Sequence, residues 1–171
     1  MSGGFKKWLE YYIGDIVYGA NDGIITTFAV VAASAGAGVS APIIIILGVA
    51  NLVADGFSMG ASKYLSLKSE QSVEKSGTKK RSPFNDGLAT FVAFVVVGTL
   101  PLIPFLIPAS ANDAFRISAL ATAVTFFIVG AARSLVIKKN AFVAGLEMLV
   151  VGGAAASIAY GLGLYVETLI R

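Results

Sequence analysis

The sequence predicts an all-α integral membrane protein with five transmembrane helices. Three observations lead there. The 171 residues are 56% hydrophobic and 13% charged, about half the charged share of an ordinary soluble domain, and the mean hydropathy is +0.80. The apolar residues fall in five blocks, each near the roughly 20 residues a helix needs to cross a bilayer. None of the blocks alternates polar and apolar residues with period two, which sets a β-barrel aside.

The chain opens "MSGGFKKWLEYY", two lysines and three aromatics that suit a membrane interface, as a short amphipathic helix on its surface. With no convincing cleavage site, this reads as an uncleaved start. Span one covers about 13–35 and span two about 42–65. A polar linker at 67–83 follows, able to prolong the second helix by a turn or two before Pro83 breaks it. Spans three to five cover about 87–107, 114–137 and 141–166. No internal repeat stands out, so 1–171 is expected to be one five-helix domain.

Five alternating spans place Lys6, Lys7, Lys63, Lys68, Lys75, Lys79, Lys80, Arg81, Arg133, Lys138 and Lys139 on one side, against Arg116 and Arg171 on the other. The positive-inside rule then puts the N-terminus in the cytoplasm and the C-terminus outside or in a lumen. "KKRS" is read as part of this topogenic signal, in contact with anionic lipid, and not as a nucleic-acid patch.

Cys and His are both absent. Thiolate sites, imidazole ligands and imidazole proton relays are excluded, which leaves metal to oxygen and thioether donors. The acids within or beside the spans are Asp15, Asp22, Asp55 and Glu147. On a helical wheel Asp15 and Asp22 lie within about 20° of each other, beside Gly19 and Gly23, whose spacing allows another backbone to come close. The stripe should therefore face protein, and we expect this pair of glycines at a subunit contact. In span two Asn51, Asp55 and Met59 recur every fourth residue within an arc of about 80°, and Lys63 ends the ladder by snorkelling to the headgroups.

At 1.5 Å per residue, Asp22 is roughly 13 Å in from the start of span one, and Asp55 roughly 20 Å in from the opposite face of a core of about 30 Å. The two carboxylates come to similar depth. They want a proton or a divalent cation, and oxygens with one sulfur favour Fe²⁺, with Mn²⁺, Co²⁺ and Zn²⁺ also open. With no His, proton coupling would fall to Asp22 and Asp55. Blander readings stand beside these: Met59 as packing, Asp15 as a helix cap, and Glu147 as a partner for a lysine or a lining residue.

The stretches "YGANDGIITTFAVVAASAGA", "ILGVANLVADGFSMGASKYLS" and "GLEMLVVGGAAASIAYGLG", with "GTLPLIP" and "FIVGAARS", resemble the vacuolar iron transporter family. The resemblance implies a homodimer of five-helix subunits that exports Fe²⁺, and often Mn²⁺, from the cytosol by proton antiport. Metal would pass between subunits along helices one and two. It implies pathway roles for Asp22, Met59 and Asp15. A carboxylate found in some relatives falls at Asn51, with Asp55 one turn on as a substitute. The family's acidic region between helices two and three is reduced here to Glu70 and Glu74, and the Glu of the relatives' "GEYLS" is Lys63.

Two functions follow as expectations. The chain is a divalent-metal transporter, not an enzyme, with metal as cargo and no resident cofactor; or it is a non-transporting membrane scaffold that kept the dimer fold. Its expected partners are lipid, metal and a second copy, without nucleic acid. The lack of a long targeting extension favours a prokaryotic cytoplasmic membrane over a vacuolar one.

Overall fold

The computed structural model describes residues 3–73, 81–107, 110–137 and 139–170. Glu74, Lys75, Lys79, Lys80, Lys138 and Arg171 lie outside the described residues. Those described form five α-helices: α1 Gly3–Gly36, α2 Ala41–Val73, α3 Pro83–Gly98, α4 Ala111–Ile137 and α5 Ala141–Ile170. Each is long and apolar enough to cross a membrane, α3 together with the 3₁₀ segment that continues it.

Local chemistry sets the ends. The α1–α2 turn is a Schellman motif: Val39 N–H reaches the Ser34 carbonyl, Gly38 N–H reaches that of Ala35, and Gly38 takes φ 66°, where a Cβ would be strained. Ser110 and Asp113 bond reciprocally at the start of α4, and the Asn140 side chain accepts the Phe142 N–H at the start of α5. Span three is not one uninterrupted α-helix. Pro101 and Pro104 lack the donors an α-helix needs, so the chain tightens into a 3₁₀ segment over Leu100–Leu106. The Pro101 carbonyl takes a hydrogen bond from the buried Ser118 hydroxyl of α4, at 2.6 Å.

One expectation about the helices changes. α1 runs without a break from Gly3, so the aromatic N-terminal stretch is its first turns and not a separate surface helix; the Trp8 and Tyr12 rings meet along it at 5.2 Å, tilted by 49°. As the linker allowed, α2 continues past span two to Val73, about two turns beyond residue 65 and about five past Asp55.

α1 is the axis of the bundle and touches all four other helices. Its Ile24, Phe28 and Val31 form one core with Ile44 and Leu52 of α2, Phe94 of α3, Phe126 of α4 and Met148 of α5. Gly19 and Gly23 bring α1 against α3. A Cβ at Gly19 would run into the Thr90 carbonyl, and one at Gly23 into the Phe94 backbone. This corrects the expectation that they mark a subunit contact: the close neighbour is α3 of the same chain.

Gly23→Leu is therefore expected to disrupt the protomer itself, since neither backbone can yield. Size-exclusion in mild detergent checks this. The expected outcome is lost folded material, not a well-folded monomer.

Candidate metal site

α2 buries Ile44, Gly48, Leu52, Gly56 and Gly60 every fourth residue. The ladder of Asn51, Asp55 and Met59 sits one residue before that stripe and so comes to its edge. Met59 is half-buried against the core. Asn51 is half-buried, and its Nδ2 is buried with no hydrogen-bond partner. Asp55 is exposed on the protomer, as are Ser58 and Ser62 on the same side.

Opposite, on α1, Asp22 is half-buried and lies near enough to Asp55 for the two charges to interact. Thr26 donates to the Asp22 backbone carbonyl at 2.9 Å, which leaves the carboxylate free. Among the described residues no cation is paired with Asp22 or Asp55. Nor do they contain a group of three or more acids able to hold a metal. One protomer offers a carboxylate pair, an amide and a thioether.

Asp15 is elsewhere. It lies in the interior of α1, 4% exposed, and not at a cap. Lys63 Nζ is 2.9 Å from its Oδ1 and Arg81 Nη2 2.5 Å from its Oδ2. Lys63 therefore points across to α1 and does not snorkel outward; α2 runs on past it, so it is not at a helix end. Arg81 Nε is also 2.7 Å from Asp86 Oδ2, and its guanidinium lies over the Tyr11 ring at 5.0 Å. Partial burial works against the charge on Arg81, but Asp15 first, then Asp86 and Tyr11, outweigh it and raise its pKa. Gln71 Nε2 donates to the Arg81 carbonyl at 2.5 Å, tying the end of α2 to the start of α3.

Asp86 is the acid the sequence reading passed over. It is wholly buried; its Oδ2 is ion-paired with Arg81 Nε at 2.7 Å, and its Oδ1 has no hydrogen-bond partner among the described residues. "SPFND" reads as an ordinary helix start, with Pro at the first turn and an acid behind it. Only the neighbouring Gly87, whose Cβ would strike the Gly60 carbonyl of α2, hinted that this turn lies inside the bundle.

Glu147 sits apart from the ladder, 3.1 Å from Lys139 and 3.9 Å from Arg133. Glu70 is exposed on the extension of α2, where it accepts from Ser66 at 3.1 Å.

The sequence pattern of the VIT family matches residues 13–82 and 74–164. The vacuolar iron transporter of Toxoplasma gondii is 25% identical over 228 aligned residues, covering 93% of this chain and 76% of that protein. Vacuolar iron transporter 1 of Eucalyptus grandis is 23% identical over 216, covering 91% and 87%. That of Arabidopsis thaliana is 39% identical over 59 residues, 34% of this chain and 24% of its own. The first two alignments are longer than the chain itself, so those relatives carry residues with no counterpart here. The two pieces of the family match meet at 74–82, in the α2–α3 connection.

The two kinds of ion pair should separate in stability. Asp15→Ala strands two cations and is expected to cost about 2–3 kcal/mol, less than for a fully buried pair because both can turn toward water. Glu147→Ala breaks only half-exposed pairs and should cost under about 1 kcal/mol. Unfolding midpoints in one detergent give the order.

Proposed function

The chain belongs to the VIT family, and from that premise we propose that it is a multi-pass membrane transporter carrying divalent metal ions, Fe²⁺ first and Mn²⁺ next, out of the cytosol in exchange for protons. The observation that carries this reading is the Asp22–Asp55 pair: two interacting carboxylates on two membrane helices, with no cation of the described residues paired with them. Two uncompensated charges at that depth are costly, and a passing divalent cation or protons relieve the cost. Metal is cargo in this reading, held by the carboxylates with Met59 and Asn51 as the soft and neutral donors.

The same residues support a homodimer. Asp55, Ser58 and Ser62 are exposed on α2, and hydrocarbon is a poor solvent for them. A second copy related by a two-fold axis would cover them and double the donors. The lysine asymmetry supports a cytoplasmic N-terminus. A prokaryotic cytoplasmic membrane is part of the proposal on sequence alone; the relatives named above are called vacuolar. The residues that those relatives have and this chain lacks favour the scaffold reading, which predicts no flux at all.

In proteoliposomes, Asp22→Asn is expected to abolish metal flux while keeping the fold, and Met59→Leu to slow Fe²⁺ more than Mn²⁺. A pH-sensitive dye should report protons moving against metal, because metal binding expels protons from carboxylic acids. Metal flux without a proton signal would make the protein a facilitator, and no flux with any metal would leave the scaffold.

Because the chain has no Cys, one introduced thiol is unique. Ser58→Cys or Ser62→Cys is expected to cross-link two copies on mild oxidation, whereas Leu162→Cys, exposed on α5, is expected to stay uncross-linked. Denaturing gels without reductant give the answer.

A further inference from the structure

The four charges at the linker end come from four parts of the chain: Asp15 from α1, Lys63 from α2, Arg81 just ahead of α3, and Asp86 from its first turn. Two positive and two negative charges cancel. Asp15 lies two turns from Asp22 on one stripe of α1, and Lys63 one turn past Met59 on α2. The Lys63 ammonium therefore bridges α2 to α1 at the linker end of the stripes that carry Asp22 and Asp55. The Arg81 guanidinium joins the same end through Asp15 and Asp86, its backbone carbonyl held by Gln71.

The cluster is not fully bonded. Asp86 is wholly buried, with Oδ2 ion-paired to Arg81 Nε at 2.7 Å and Oδ1 without a hydrogen-bond partner among the described residues. A buried carboxylate held in this way is costly to keep. The two cations of the cluster can leave, since the Lys63 and Arg81 side chains are 27% and 39% exposed on stems long enough to carry the charge to water.

We propose that this cluster is a latch: Lys63 and Arg81 are tethered cations that hold Asp15 and Asp86 while metal is absent, and the path opens at this end when a divalent cation displaces them. The inference rests on the reading of the ladder as a metal path. The exchange balances, because one divalent cation replaces two monovalent ones at two carboxylates, with no electron transferred and no bond broken. The latch sets the metal concentration at which the path admits ions, since metal must compete with partners held at high effective concentration.

The test uses the full chain in proteoliposomes with Mn²⁺ as the probe. Lys63→Gln lowers the half-saturating Mn²⁺ concentration by at least about fivefold, the lower end of coupling between sites, while Lys63→Arg stays near wild type. Lys68→Gln removes the same charge from an exposed position and shifts it by less than about twofold, because screening weakens a distant surface charge. In an Asp15→Asn background Lys63→Gln has no further effect, the non-additivity expected of direct partners. An unchanged half-saturation in Lys63→Gln, an equal shift in Lys68→Gln, or additive effects with Asp15→Asn would overturn the latch. Arg81→Gln is read by the same criteria should Lys63→Gln not fold. Wild-type protein that passes no Mn²⁺ sinks the transport reading instead. The latch is then judged by binding: Mn²⁺ raises the unfolding midpoint of Lys63→Gln more than that of wild type, and equal shifts overturn it.

Discussion

A charge inside a membrane-crossing bundle has to find its partner within the protein or take one from solution. In this chain the constraint is sharpened by composition, because without His or Cys a buried acid can meet only lysine, arginine, a proton or a metal ion. The acids divide accordingly. Asp15 and Asp86 are matched by Lys63 and Arg81, whereas Asp22 and Asp55 face each other with no cation of the described residues beside them. The first arrangement holds helices together. The second leaves a vacancy in charge, and the proposed activity grows from it.

What makes that division possible is the central position of α1. It carries both kinds of acid on one stripe, and beside that stripe Gly19 and Gly23 meet the α3 backbone. Polar groups can then line one side of α1 while its other sides enter the shared core with Phe94, Phe126 and Met148. The ladder on α2 is set out in the same way, one residue off a stripe of Gly48, Leu52, Gly56 and Gly60. A change of one register position would turn Asp55 into the bundle and Gly56 out of it.

Much of the fold was legible in the sequence, because a bilayer demands long apolar helices and little else satisfies the backbone there. The ladder too was legible, since Asn51, Asp55 and Met59 repeat at helical spacing. The misreadings share a physical origin: helical periodicity shows which residues share a face, but not what meets that face. Gly19 and Gly23 marked a close contact correctly and its partner wrongly. Lys63 looked like a residue that snorkels to the headgroups because nothing on α2 reveals that Asp15 of α1 lies within its reach. Asp86 looked like a surface helix start because nothing local reveals that α1 and α2 cover it. In span three Pro101 and Pro104 were plain to see, yet apolar content alone carried the span through them unbroken.

The 3₁₀ segment at the end of α3 also bears on thickness. A 3₁₀ helix rises about 2.0 Å per residue against about 1.5 Å for an α-helix, so the seven residues Leu100–Leu106 extend about 14 Å where an α-helix would extend about 10.5 Å. Pro83–Leu106, with 24 residues, thereby reaches as far as a longer α-helix without gaining any. The prolines act as a spacer that matches the third span to its neighbours across the bilayer, where a few ångströms of mismatch are enough to tilt a helix or thin the lipid around it.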